Sequence, residues 1–137
     1  RVGGVDHIEG ILTKLCYLLG KGEVVTIFPE GTRSRTGQID VASVTYGMGR
    51  MVQSVPNCDV LCVYLRGHAQ DSYSAYPKKG DVIHIEMELF TPQTKLTGLR
   101  AHREISVQTI TRLKQMEERY FAKINAANPS VQNGSSA

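Results

Sequence analysis

The sequence predicts an α/β domain with a mixed central sheet flanked by helices. A helical run at residues 8–19 hands over through a glycine turn to a β-branched run at 23–28. A second buried-strand run follows at 59–66, and a long amphipathic helix closes the fold. Of the 137 residues, 41% are hydrophobic and 21% charged, and 16 Lys+Arg against 13 Asp+Glu leave a net charge of +3. That is the profile of one compact domain, since disorder shows as low hydrophobicity with high net charge.

Ile8, Ile11, Leu12, Leu15, Cys16 and Leu19 recur at the spacing of one helix face. Asp6 with Glu9 three residues on predicts a capping box at the start of that helix, and Gly20 and Gly22 predict its end. Glu23-Val24-Val25-Thr26-Ile27-Phe28, bounded by glycine and Pro29, reads as a buried strand. A polar loop from Pro29 to Gly37 follows. Val44, Met48, Met51, Val52 and Val55 then repeat at helical spacing until Pro56-Asn57, although Gly47 and Gly49 weaken the pattern.

Asp59 to Arg66 reads as a second buried strand, and residues 67–80 as a long connection. From Asp81 to Phe90 the pattern changes to strict alternation. Ile83, Ile85, Met87 and Leu89 are expected to face the core while Val82, His84, Glu86 and Glu88 face water, as near a sheet edge. From about Arg103 to Ile124, Ile110, Leu113, Met116, Tyr120, Phe121 and Ile124 line one face of a long helix. Its other face carries Arg112, Lys114, Glu118 and Lys123. The expected division is a domain at 1–125 and a disordered tail at 126–137. The Asn133-Gly134-Ser135 sequon in that tail reads as a chance match.

Several functions lack support in the residues. Seven basic and six acidic groups in 1–70, against nine and seven in 71–137, leave no basic stripe for nucleic acid. The longest apolar run, Val60 to Leu65, is far shorter than the roughly 20 residues that span a bilayer. Three cysteines in apolar surroundings read as free thiols. Cys58 and Cys62 on an extended strand lie about 13 Å apart, too far for a disulfide. A metal site built on them with His68 lacks a fourth ligand, and none is expected. Neither a Gly-x-Ser-x-Gly elbow nor a Walker loop is present. His84 and His102 read as surface histidines, and Tyr73, Tyr76, Lys78 and Lys79 as a solvated loop.

The informative segment is Phe28-Pro29-Glu30-Gly31-Thr32-Arg33-Ser34-Arg35. A strand that stops at proline and enters a glycine turn rich in donors sits where open α/β sheets bind ligands. Gly31 permits a conformation that lets amides approach an oxyanion, Thr32 and Ser34 add hydroxyls, and the planar fork of Arg33 matches phosphate oxygens in pairs. Glu30 is the carboxylate that orients the arginine or a substrate hydroxyl. Read from physics alone, this loop is either a phosphate site or a solvated turn.

Phe28 to Ser34 resembles, residue for residue, the FPEGTRS block of the glycerolipid acyltransferases, the family that includes the 1-acylglycerol-3-phosphate acyltransferases. Arg1 stands where that family has the arginine of its preceding block, and Val60 to Leu65 looks like its following strand. Cys62 replaces the usual proline there, and Val44-Thr45-Tyr46-Gly47 stands for the customary Phe-Lys-x-Gly. The family's catalytic His, followed five positions later by Asp, is absent: five positions after His7 is Leu12, and His68 and Asp71 are only three apart. The resemblance therefore implies an acyltransferase domain incomplete at its N-terminus, with the His and Asp expected before Arg1.

It further implies transfer of an acyl group from acyl-CoA or acyl carrier protein to a lysophospholipid hydroxyl. The most fitting acceptor is 1-acylglycerol-3-phosphate, giving phosphatidic acid. Arg1, Pro29, Glu30, Gly31, Thr32 and Arg33 would bind the substrate, with the guanidinium of Arg33 over a cleft. No cofactor beyond the acyl donor is implied, and association is with the cytoplasmic face of the membrane as a peripheral protein. The alternative is a catalytically inactive remnant that binds phosphate or phospholipid.

Overall fold

The computed structural model describes residues 4–70 and 78–128. Helix α1 spans Val5–Gly20 and helix α2 Gly47–Gln53. Strands β1 (Val60–Gly67) and β2 (Ile83–Phe90) follow, and helix α3 (Gly98–Ala127) is 30 residues long. Residues 71–77 and 129–137, with Tyr73, Tyr76 and the sequon, lie outside the described residues, as does Arg1.

Helix α1 forms where its periodicity predicts, but the capping box does not close it. The helix begins at Val5, its N-cap is Gly4 with no side-chain cap bond, and the carboxylate of Glu9 pairs instead with Arg50 at 2.6 Å. Leu12, Leu15, Cys16 and Leu19 pack on the buried cluster of Met48, Met51, Val52 and Ile105, whereas Ile8 and Ile11 remain exposed.

The expected strand at 23–28 is corrected by the structure: the segment is extended but hydrogen-bonded into no ladder. Its side chains still alternate as a strand's do. Val25 and Ile27 reach the cluster beneath α1, while Val24 is 93% and Phe28 81% exposed. A strand needs a neighbour to pair its backbone groups, and no described segment supplies one.

The sheet is correspondingly smaller than predicted. It has two strands, and they are antiparallel, with Val63 opposite Met87 and Leu65 opposite Ile85. A mixed central sheet is thus not present among the described residues. Cys62, Tyr64, Met116 and Tyr120 form the core between the sheet and α3. Burial, with the Glu88 carboxylate adding and Arg112 opposing, pushes the Cys62 thiol up to about 11. The three cysteines are free.

The faces of β2 are the reverse of the expected ones. His84, Glu86 and Glu88 turn toward α3, and Ile83, Ile85, Met87 and Leu89 are 52–65% exposed. Arg119 binds Glu86 through Nε at 2.7 Å, and Arg112 pairs with Glu88 while lying over Phe90 at 4.1 Å. Burial acts to raise the Glu86 carboxyl, but Arg119 and then His84 outweigh it, so it sits below the usual carboxylate range. His84 is no free surface histidine: its ring lies 4.9 Å from that of Tyr120.

Helices α2 and α3 meet at a glycine. A Cβ on Gly49 would stand 1.9 Å from the His102 carbonyl oxygen, and the Gly49 N–H donates to Ser106 Oγ at 3.1 Å. The residue that weakens the helical pattern is therefore the one that permits the crossing. Gly49→Ala is expected to cost about 1–3 kcal/mol through backbone displacement, read as a lower urea midpoint at unchanged slope. In the native state at pH 8, Cys62 should resist alkylation while Cys16 and Cys58 react; mass mapping of the labelled cysteines checks this.

Candidate functional site

The loop from Phe28 to Thr45 is built by its own polar groups. Gly31 takes a left-handed φ of +69° and its N–H donates to the Phe28 carbonyl at 2.9 Å, closing the turn behind Pro29. The two ends are then tied together. The Pro29 carbonyl accepts from the Thr45 N–H at 2.9 Å and from its hydroxyl at 3.1 Å. Within the loop, the Ser34 hydroxyl accepts from the Gln38 N–H at 3.2 Å and donates back to the Gln38 carbonyl. Such ends-together, self-packed loops are compact.

Both carboxylates of the loop are committed to holding it. Glu30 Oε1 accepts from the Asp40 N–H at 2.7 Å, across ten residues. Asp40 in turn accepts from the Ala42 N–H at 2.9 Å and the Ser43 hydroxyl at 2.6 Å, capping the short 3-10 turn Val41–Ser43. The Ser43 bond, then the Ala42 bond, draws the Asp40 carboxyl below its ordinary value.

Two anchors join the loop to the body of the protein. The buried carboxylate of Glu117 on α3 accepts the Ile39 N–H at 3.0 and 3.2 Å and is paired with Lys114 at 2.7 Å. Arg66 at the end of β1 donates to the Gly37 carbonyl, and its guanidinium lies 4.8 Å from the ring centre of Phe121. Burial raises the neighbouring Tyr64 phenol, the Glu117 charge adds to this, and Arg66 opposes it.

The cations of the loop are not committed. Arg33 and Arg35 are exposed and make no hydrogen bond or ion pair with a described residue; Thr32 is exposed as well. Arg33, expected over a cleft, lies on the exposed surface of the turn. Pro29 and Glu30 are half-buried, and Gly31 is exposed. The structure thus brings Pro29, Glu30, Gly31, Thr32 and Arg33 together on one turn, with Glu30 turned to the backbone of the loop instead of to Arg33. A separate pocket of about 480 Å³ is lined by Gln93, Thr94, Lys95, Leu96 and Glu104, and no residue of this loop takes part in it. Among the described residues no cluster of His, Cys, Asp and Glu is placed to hold a metal ion, and no helix is long and apolar enough to cross a membrane.

Residues 5–66 match the Acyltransferase family model. The span runs from the start of α1 through the loop and α2 to Arg66, just under half of the chain, and it supports an acyltransferase and points to acyl transfer. No curated protein and no solved structure matches the chain.

The loop anchors, Glu117 on α3 and Arg66 on β1, were missed in the sequence. Glu117 carried a signal, being a carboxylate set among Leu113, Met116, Tyr120 and Phe121 on the apolar face. A charged group almost never enters such a face without a partner. Glu117→Ala strips the Ile39 N–H of its acceptor and should cost about 1–3 kcal/mol. Amide exchange at Ile39 and Asp40 should accelerate far more than at α1, which NMR-detected exchange reads directly.

Proposed function

We propose that these residues form the acceptor-binding part of a glycerolipid O-acyltransferase. The reaction moves an acyl group from the thioester of acyl-CoA or acyl carrier protein to the free hydroxyl of a lysophospholipid, 1-acylglycerol-3-phosphate being the acceptor that fits best, to give phosphatidic acid. The observation that carries the reading is the match of residues 5–66 to the Acyltransferase family model, a span that includes the whole loop. In the loop, the carboxylates of Glu30 and Asp40 are bound to its own backbone and hydroxyl groups, and Arg33 is exposed, with no partner among the described residues, and so open to a phosphate.

In that reaction a histidine, oriented by an aspartate, takes the proton of the acceptor hydroxyl as its oxygen attacks the thioester carbonyl. The tetrahedral oxyanion collapses, the C–S bond breaks, and the thiolate leaves with the proton returned from the imidazolium. Such positioned base catalysis contributes about 10²–10⁴-fold. The remainder comes from orienting acceptor against thioester and stabilising the oxyanion. Arg33, together with Arg1, holds the phosphate. Gly31 shapes the turn, and Glu30 holds the loop in the conformation that presents it. Peripheral association with the cytoplasmic membrane face belongs to this proposal through its lipid substrate.

Arg33→Ala in a protein that contains the His-x-x-x-x-Asp block should raise the acceptor KM about 10–100-fold, the equivalent of roughly 1.5–3 kcal/mol for a charge-assisted contact. The acyl-donor KM should stay put, and Arg33→Lys should recover only part of the loss. Unchanged acceptor kinetics in Arg33→Ala would refute the assignment. The 137 residues, which lack that block, should show no acyl transfer, and turnover by them would refute the mechanism.

A further inference from the structure

The turn that carries Arg33 hangs from residues 37–40 on both of its sides. The Gln38 N–H and carbonyl are both bonded to the hydroxyl of Ser34, the residue after Arg33, and the Asp40 N–H is bonded to Glu30, three residues before it. Three contacts fasten that segment to the body. Arg66 donates to the Gly37 carbonyl, the Ile39 side chain packs on the cluster of Cys62, Tyr64, Met116 and Tyr120, and both oxygens of Glu117 accept the Ile39 N–H. Glu117 is fully buried and paired with Lys114 at 2.7 Å. Stability alone is a weak reason for such a pair, because apolar side chains in its place are often neutral or stabilising. What the pair supplies is an acceptor that Lys114 holds still and that faces one backbone N–H of the loop.

We propose that Glu117 is a positioning residue for acceptor binding: through the Ile39 amide it fixes the limb at 37–40, and so sets where the Arg33 guanidinium stands. The inference rests on the reading of Arg33 as the phosphate contact. It extends the functional unit to α3, which lies beyond the residues 5–66 that match the family model. Glu117 touches no substrate, and its effect reaches the acceptor only by way of the loop. A guanidinium on a fixed base loses less freedom on meeting an anion than one on a loosened base. Releasing the Ile39 amide therefore weakens the hold on the acceptor phosphate, while the acyl donor and the acyl-transfer step are left alone.

The test is steady-state kinetics of the protein that contains the His-x-x-x-x-Asp block, with 1-acylglycerol-3-phosphate as the varied acceptor. Glu117→Ala is expected to raise the acceptor KM about 5–20-fold and to keep kcat and the acyl-donor KM within about twofold. Glu117→Gln, whose amide oxygen can still accept the Ile39 N–H, should recover most of the loss. In an Arg33→Ala background, Glu117→Ala should add less than about twofold, since it acts through that guanidinium. Gly49→Ala, which strains the α2–α3 crossing away from the loop, is the comparison: it should lower stability and leave the acceptor KM in place. Should far-UV circular dichroism show Glu117→Ala unfolded, Glu117→Asp, which keeps the charge but draws it back by one methylene, is read by the same criteria. A rise in acceptor KM that Gly49→Ala shares, or that multiplies with the rise in Arg33→Ala, marks Glu117 as merely structural and overturns the proposal. So does an unchanged acceptor KM in Glu117→Ala where Arg33→Ala raises it, an outcome that leaves the reading of Arg33 standing. If Arg33→Ala itself leaves the acceptor KM unchanged, that reading falls and this inference falls with it.

Discussion

One buried carboxylate on α3, with Arg66 on β1, holds the loop to the rest of the molecule. Glu117 is 1% exposed on the face of α3 that also carries Met116 and Tyr120, and it reaches out of that apolar face to the Ile39 N–H. Leaving a carboxylate in such a place is costly unless its oxygens are filled, and Lys114 and the loop amide fill them. The arrangement couples two things that the sequence keeps 78 residues apart. The turn at Gly31 is local, but its position relative to the body is set by the helix through Glu117 and by β1 through Arg66. Helix α3 therefore acts as the spine: Ile105 and Ser106 receive α2, Met116 and Tyr120 receive the sheet, and Glu117 receives the loop.

The reversal of the β2 faces follows from the same helix. Its sheet-facing side is not uniformly apolar, because Arg112 and Arg119 flank the Met116–Tyr120 strip. A strand bearing Glu86 and Glu88 can lay those carboxylates against the arginines only by turning its aliphatic residues outward. Half-exposed ion pairs contribute little each, typically below about 1 kcal/mol. They do not by themselves outweigh burying four large aliphatic side chains at roughly 1.5–3 kcal/mol apiece. The orientation makes energetic sense when the outward face is covered as well, so that the aliphatic residues are buried and the ion pairs kept.

Much of the fold was legible where one local rule sufficed. The apolar period placed α1 and α2, alternation placed β2, and Pro56-Asn57 marked the turn before β1, where Asn57 takes a φ of +52°. What failed were features that depend on partners. Residues 23–28 have the composition and alternation of a strand but lack a neighbour to make it one. Alternation in β2 announced two faces without saying which met α3. Asp6 and Glu9 had capping-box spacing, yet Arg50, 41 residues away, claims Glu9. In the loop, the left-handed turn at Gly31 followed from residue type. The tie from Glu30 to the Asp40 amide did not, because a carboxylate beside an arginine reads as that arginine's partner until the backbone path is known.

That tie also explains how the loop can be hydrogen-bonded along its length and still cationic. A loop of this length ordinarily loses much backbone entropy on being fixed, about 1–2 kcal/mol per residue. Here bonds at Pro29, Glu30, Ser34, Gly37, Ile39 and Asp40 tie it from end to end; the one at Gly37 is donated by Arg66 of β1, and the others use backbone groups, hydroxyls or carboxylates, so none draws on the loop's own arginines. Were Glu30 instead paired with Arg33, the same carboxylate would neutralise the guanidinium and leave the Asp40 amide without its acceptor. By accepting from the backbone, Glu30 gives the loop its shape without using up its positive charge. A guanidinium carried on a fixed turn loses less conformational freedom on meeting an anion than one on a mobile segment, so more of its interaction is available for binding.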